Sequence, residues 1–80
     1  PDDALLGGVI AKLFADRQVE VDPTVVQYLV RRMERSLSTA SAVVARLDRV
    51  ALERKTAITR ALAAEMLTAM DEGQGALDLE

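Results

Sequence analysis

Three arginines, Arg31, Arg32 and Arg35, crowd the stretch YLVRRMERSLSTA at residues 28–40, and hydroxyl residues Ser36, Ser38, Thr39 and Ser41 sit beside and just after them. Guanidinium groups next to hydroxyls suit phosphate oxygens, because their fixed charge and forked donors match that geometry. Little other chemistry is open. The chain has neither cysteine nor histidine, which removes thiolate and imidazole metal sites, cysteine nucleophiles and histidine general bases. The serines therefore have no histidine to activate them. The Gly7-Gly8 pair is not followed by the Lys-Ser/Thr of a phosphate-cradling loop. The acidic pairs Asp2/Asp3 and Asp71/Glu72 fall at predicted helix ends, where carboxylates favour an N-terminus or are simply solvated. On its own the chain is expected not to be an enzyme, and to hold no cofactor or metal.

The arginines admit two readings. Were they part of one continuous helix, Arg31 and Arg35 would form a like-charged i,i+4 pair costing about 0.2–0.5 kcal/mol. Near a helix C-terminus the same cations gain about 0.3–1 kcal/mol from the macrodipole. Ordinary solvated charge and a ligand or partner site both remain open on the residues alone.

The elements that position these groups read as helices. Eighty residues, half of them hydrophobic and 29% charged, are enough for one core and too few for two. Phe14 and Tyr28 are the only aromatics, so the core must come from aliphatic residues, Met and Ala. A first helix is predicted over Asp3–Asp16, with Leu5, Leu6, Val9, Ile10, Leu13 and Phe14 as its apolar stripe and Asp2 or Asp3 as its cap. Gly7 and Gly8 inside it each cost up to about 1 kcal/mol relative to Ala, and close approach of another helix, within the domain, or of a partner is the expected reason. Asp22-Pro23 signals the start of a second helix, with Val25, Val26, Leu29, Val30 and Met33 inward and an end near Met33 or Glu34. Ser36 caps a third helix facing inward through Leu37, Ala40, Val44, Leu47 and Ala51. A polar segment over 53–57 follows. Thr59 caps a fourth helix whose core face is Ile58, Leu62, Met66, Leu67 and Met70. The fold class is thus all-α, a small orthogonal bundle of about four short helices. Residues 1–70 are predicted as the domain and 71–80 as an acidic, frayed tail whose last two residues, Leu79-Glu80, have the look of a vector scar.

Other functions fit less well. A net charge of −3 argues against coating a nucleic-acid backbone. A helix-turn-helix reading would make the third helix the reader of bases, yet its polar positions are mostly Ser and Thr, with Asp48 between Arg46 and Arg49. Direct sequence-specific DNA binding is not expected. A helical module for oligomerisation or protein interaction remains an alternative. No apolar run approaches the ~20 residues that span a bilayer, no signal peptide is visible, and no membrane partner is expected. Residues 74–79, QGALDL, loosely match a sliding-clamp-binding peptide, a short match that coincidence explains. The start at Pro1, without Met, suggests a piece of a longer protein.

Residues 28–67, YLVRRMERSLSTASAVVARLDRVALERKTAITRALAAEML, resemble the C-terminal lid subdomain of AAA+ ATPases related to the bacterial replication initiator DnaA. Hda-type regulators of the initiator are the nearest likeness, in their alphaproteobacterial form. With the first helix included, the resemblance covers about residues 1–70. It implies a cytoplasmic bacterial parent whose missing N-terminal AAA+ subdomain binds ADP or ATP with Mg²⁺, and which acts with DnaA and the sliding clamp in regulatory inactivation. In such lids a sensor 2 arginine near the start of the third helix approaches the phosphates. Aligned through ARLDR, that position falls on Ser38, with Arg35 about one helical turn earlier. The resemblance therefore makes Arg35 and Ser38 the nucleotide-facing candidates and leaves Arg31 and Arg32 as partner-contact candidates.

Overall fold

The computed structural model describes residues 2–78, and the surroundings of side chains over 2–70. Four helices account for the fold: α1 (Asp3–Asp16), α2 (Pro23–Arg32), α3 (Leu37–Arg54) and α4 (Arg60–Asp78). Among the described residues there is no strand. Helices α1 and α4 each pack on both α2 and α3, and not on each other.

All four starts follow from side-chain caps that the sequence announces. Asp2 accepts the amide of Leu5 at 2.8 Å, Asp22 that of Thr24 at 2.9 Å, and Ser36 that of Thr39 at 3.4 Å. Pro23 occupies the first turn of α2, where no intrahelical N–H bond is lost. Thr59 does the same for α4, its hydroxyl accepting the Leu62 amide at 3.2 Å.

The ends of α1 and α3 share a geometry that the sequence does not advertise. Gln18 and Lys55 adopt the left-handed conformation, with φ of 59° and 55°. The next amide reaches back in each case, Val19 to the Phe14 carbonyl at 2.9 Å and Thr56 to the Ala51 carbonyl at 3.1 Å. This closes the last carbonyls of both helices in the manner usually left to glycine. Both chain reversals are thereby fixed, so that α2 and α4 return onto the core.

The core joins Leu6, Ile10 and Phe14 of α1, Val25, Leu29 and Val30 of α2, Ala40, Val43, Val44 and Leu47 of α3, and Leu62, Ala63 and Met66 of α4, with Met33 and Ile58 from the connections. Each large member contributes about 1.5–3 kcal/mol by leaving water. No polar or charged side chain is buried among the described residues.

Four expectations need correction. Leu37 lies 52% exposed on the first turn of α3, and Val43 takes the interior place instead, because α3 turns its Ala40-Val43-Val44-Leu47 stripe inward. Leu5 is likewise 56% exposed, one residue from the buried Leu6. The backbone is helical as far as Asp78, where the helical period was expected to lapse after Met70; residues such as Glu72, Gln74 and Ala76 favour helix enough to carry on from a packed segment despite Gly73 and Gly75. Leu79-Glu80 lies outside the described residues. Close packing accounts for neither glycine: a Cβ on Gly8 would meet nothing within 4 Å, and one on Gly7 would rest in ordinary contact, 3.6 Å from Val30 Cγ2.

Candidate functional site at the junction of α2 and α3

Helix α2 stops at Arg32, and Met33 is its extended cap, so the three arginines do not share a helix. Arg31 and Arg32 occupy the final turn of α2, where the macrodipole favours them. Arg35 lies beyond it, in the connection that leads to the Ser36 cap of α3. The like-charged i,i+4 pair is therefore never formed.

The arginines differ in their surroundings. Arg31 is exposed beside a shallow notch between α1 and α2, shared with Asp3, Ala4, Gly7, Gly8 and Val26. Arg32 lies over the Tyr28 ring, 5.2 Å from its centroid, a cation–π contact one turn apart on α2. It borders a groove of about 380 Å³ that runs to α4 past Met33, Thr39, Leu67 and Met70. Arg35 reaches α1, with Nη1 2.6 Å from Asp3 Oδ1. Arg32 is thus set apart with Tyr28, whereas Arg31 and Arg35 both neighbour Asp3 at the start of α1.

Ser38 sits on the first turn of α3, exposed, its Oγ 2.9 Å from that of Ser36. The Ser36 side chain takes the amide of Thr39, and its carbonyl takes that of Ala40 at 3.0 Å. The amides of Leu37 and Ser38, at the opening of the helix, have no intrahelical acceptor. The Ser38 hydroxyl and these amides are donors at the positive end of a helix dipole, and Arg35 precedes them along the chain with its guanidinium paired to Asp3. Such an arrangement suits an anion with several oxygens. No group of three or more acidic residues able to hold a metal ion occurs among the described residues.

Sequence reasoning missed the carboxylates that hold these elements together. Asp3 is the partner of Arg35, and Asp48, which counted only as an unfavourable charge for DNA, accepts from Arg17 Nη1 at 3.0 Å. These pairs join residues more than thirty positions apart, and only the packing of α1 on α3 and α2 brings them together. Arg54 and Glu65 are closer in sequence and link the end of α3 to α4. No helix among the described residues is long and apolar enough to cross a membrane.

No curated protein and no solved structure matches this chain. The family described as Hda, lid domain, matches it over residues 10–67, a span that takes in the second half of α1, all of α2 and α3, the α2–α3 junction and the beginning of α4. That is more than half of the chain, and it belongs to the Hda lid domain family, the C-terminal lid of DnaA-related AAA+ proteins.

Proposed function

We propose that this lid serves an AAA+ protein that restrains chromosomal replication initiation, and that its α2–α3 junction faces the phosphates of a bound ADP or ATP. The observation that carries this reading is the position of Arg35: outside α2, 57% exposed, and directly ahead of the Ser36 cap and first amides of α3. Arg35 would supply the charge and Ser38 a neutral donor, with the hydroxyl taking the place that resemblance assigns to an arginine. On this reading the nucleotide and its Mg²⁺ ion are otherwise held by the other subdomain of the protein.

The exposed Leu37 supports the same orientation. A large apolar residue on the first turn of α3, at 52% exposure, gains by contact with a second surface, and a neighbouring AAA+ subdomain that brings a nucleotide to Arg35 would bring such a surface to Leu37. Arg31 and Arg32 point the reading toward partner proteins: they are exposed and are carried on the last turn of α2, whereas Arg35 lies beyond its end. DnaA and the sliding clamp are the partners that the family suggests.

The test is ADP titration of the full-length protein. Arg35→Ala is expected to weaken binding about tenfold, the scale of one charge-assisted hydrogen bond of roughly 1.5 kcal/mol. Arg31→Ala is expected to leave binding within about twofold. Equal and negligible effects would return Arg35 to ordinary surface charge.

A further inference from the structure

Arg35 is not free to meet a ligand in the structure, because a carboxylate already touches it. Asp3 Oδ1 is 2.6 Å from Arg35 Nη1, and the two side chains are 55% and 57% exposed. Asp3 belongs to the first turn of α1, so the contact ties the start of one helix to the connection before another. We propose that Asp3 is a tuning counter-ion for Arg35: it holds the guanidinium at the start of α1 in the absence of an anion and competes with phosphate for it. This rests on the reading that Arg35 faces nucleotide, and adds a control on that site which neither the family nor the motif supplies.

Two features make Asp3 a competitor rather than a fixed support. One carboxylate oxygen approaches one guanidinium nitrogen, in place of the forked two-bond pairing that Arg54 makes with Glu65. A single contact leaves most of the five guanidinium donors for another acceptor. Both groups also remain half in water, where an ion pair is weak and easily exchanged. A phosphate carries more charge and more acceptor oxygens than a carboxylate, so it displaces Asp3 when it arrives. Asp3 meanwhile keeps a favourable place in the first turn of α1, where the helix dipole stabilises a carboxylate without any partner. The pair can therefore open without leaving a buried charge stranded.

The structural role and the competing role differ in sign. A carboxylate that only positioned Arg35 would, on removal, weaken anion binding; a competing one tightens it. The experiment is ADP titration of the full-length protein in low salt with Asp3→Asn, Arg35→Ala, the double variant and Asp3→Glu. Asp3→Asn should bind ADP about two- to fivefold more tightly, the ratio set by one exposed ion pair, and the gain should shrink as salt screens the charges. The double variant should match Arg35→Ala alone, and Asp3→Glu, which keeps the charge, should stay near the parent. Weaker or unchanged binding by Asp3→Asn, alongside a clear loss in Arg35→Ala, overturns the competing role while leaving Arg35 at the nucleotide. No loss in Arg35→Ala overturns both. Melting curves of each variant separate a binding change from a folding defect.

Discussion

Arg54 and Glu65 face each other as a fork: Nη1 donates to Oε2 at 2.9 Å and Nη2 to Oε1 at 2.8 Å, fastening the last residue of α3 to the first turns of α4. The pair frames the turn in which Lys55 reverses the chain. Its chemistry appears in both partners, since hydrogen bonding from Arg54 holds the Glu65 carboxyl below its ordinary value and Glu65 raises Arg54.

A pH dependence follows from this pair together with Asp22, whose carboxyl is lowered by the Thr24 backbone amide first and the Thr24 hydroxyl second. A carboxylate depressed by folding stabilises the fold above its unfolded value and loses that contribution as pH falls through its folded value. The ordinary values are 4.5 for Glu65 and 3.8 for Asp22, so the melting temperature should hold between pH 7 and pH 5 and fall below them. Glu65→Gln should lower the melting temperature at pH 7 and flatten the acid decline. Thermal melts at several pH values check this, and an unchanged acid slope in Glu65→Gln would contradict it.

Gly8 offers a second, independent test. It is an exposed position in the interior of α1, and a Cβ there meets nothing within 4 Å. The domain itself gains nothing from the missing side chain, so Gly8→Ala should stabilise it by about 1 kcal/mol through helix propensity alone. For a domain of this size that is a rise of roughly 4–8 °C in melting temperature. A melt that is unchanged or lower would mean that α1 needs a glycine for a reason internal to the fold. If Gly8→Ala stabilises the chain yet impairs the full-length protein, the glycine serves the close approach of another surface.

Much of the fold was legible because caps and apolar periods are local signals. Asp22-Pro23, Ser36 and Thr59 name three helix starts outright, and the spacing of Leu6, Ile10 and Phe14 finds the buried side of α1. What the sequence concealed depends on rotation and on distance. Leu37 and Val44, seven residues apart, fit nearly the same helical face on paper; Leu37 is exposed because it is the first residue of α3, at the end of the packed stripe, and Val43 is interior because the buried face of α3 is wider than the a/d spacing suggests. The left-handed turns at Gln18 and Lys55 carried no signal because neither position is a glycine. In the site, residue type and order pointed to Arg35 and Ser38 through resemblance alone. The separation of Arg31 and Arg32 from them needed the end of α2 at Arg32, and the counter-ion Asp3 needed the tertiary packing.

On the proposed function the opening of α3 faces phosphate, with Ser38 in a place where an arginine could serve. The most direct measurement is the ADP affinity of the full-length protein carrying Arg35→Ala, with and without Ser38→Arg. Ser38 is exposed on the first turn of α3 and has room for a longer side chain. Arg35→Ala alone should weaken ADP binding about tenfold, and adding Ser38→Arg should recover most of that loss, because one charge-assisted bond replaces another of similar size. A loss that Ser38→Arg leaves untouched, or no loss in the first place, would contradict the account.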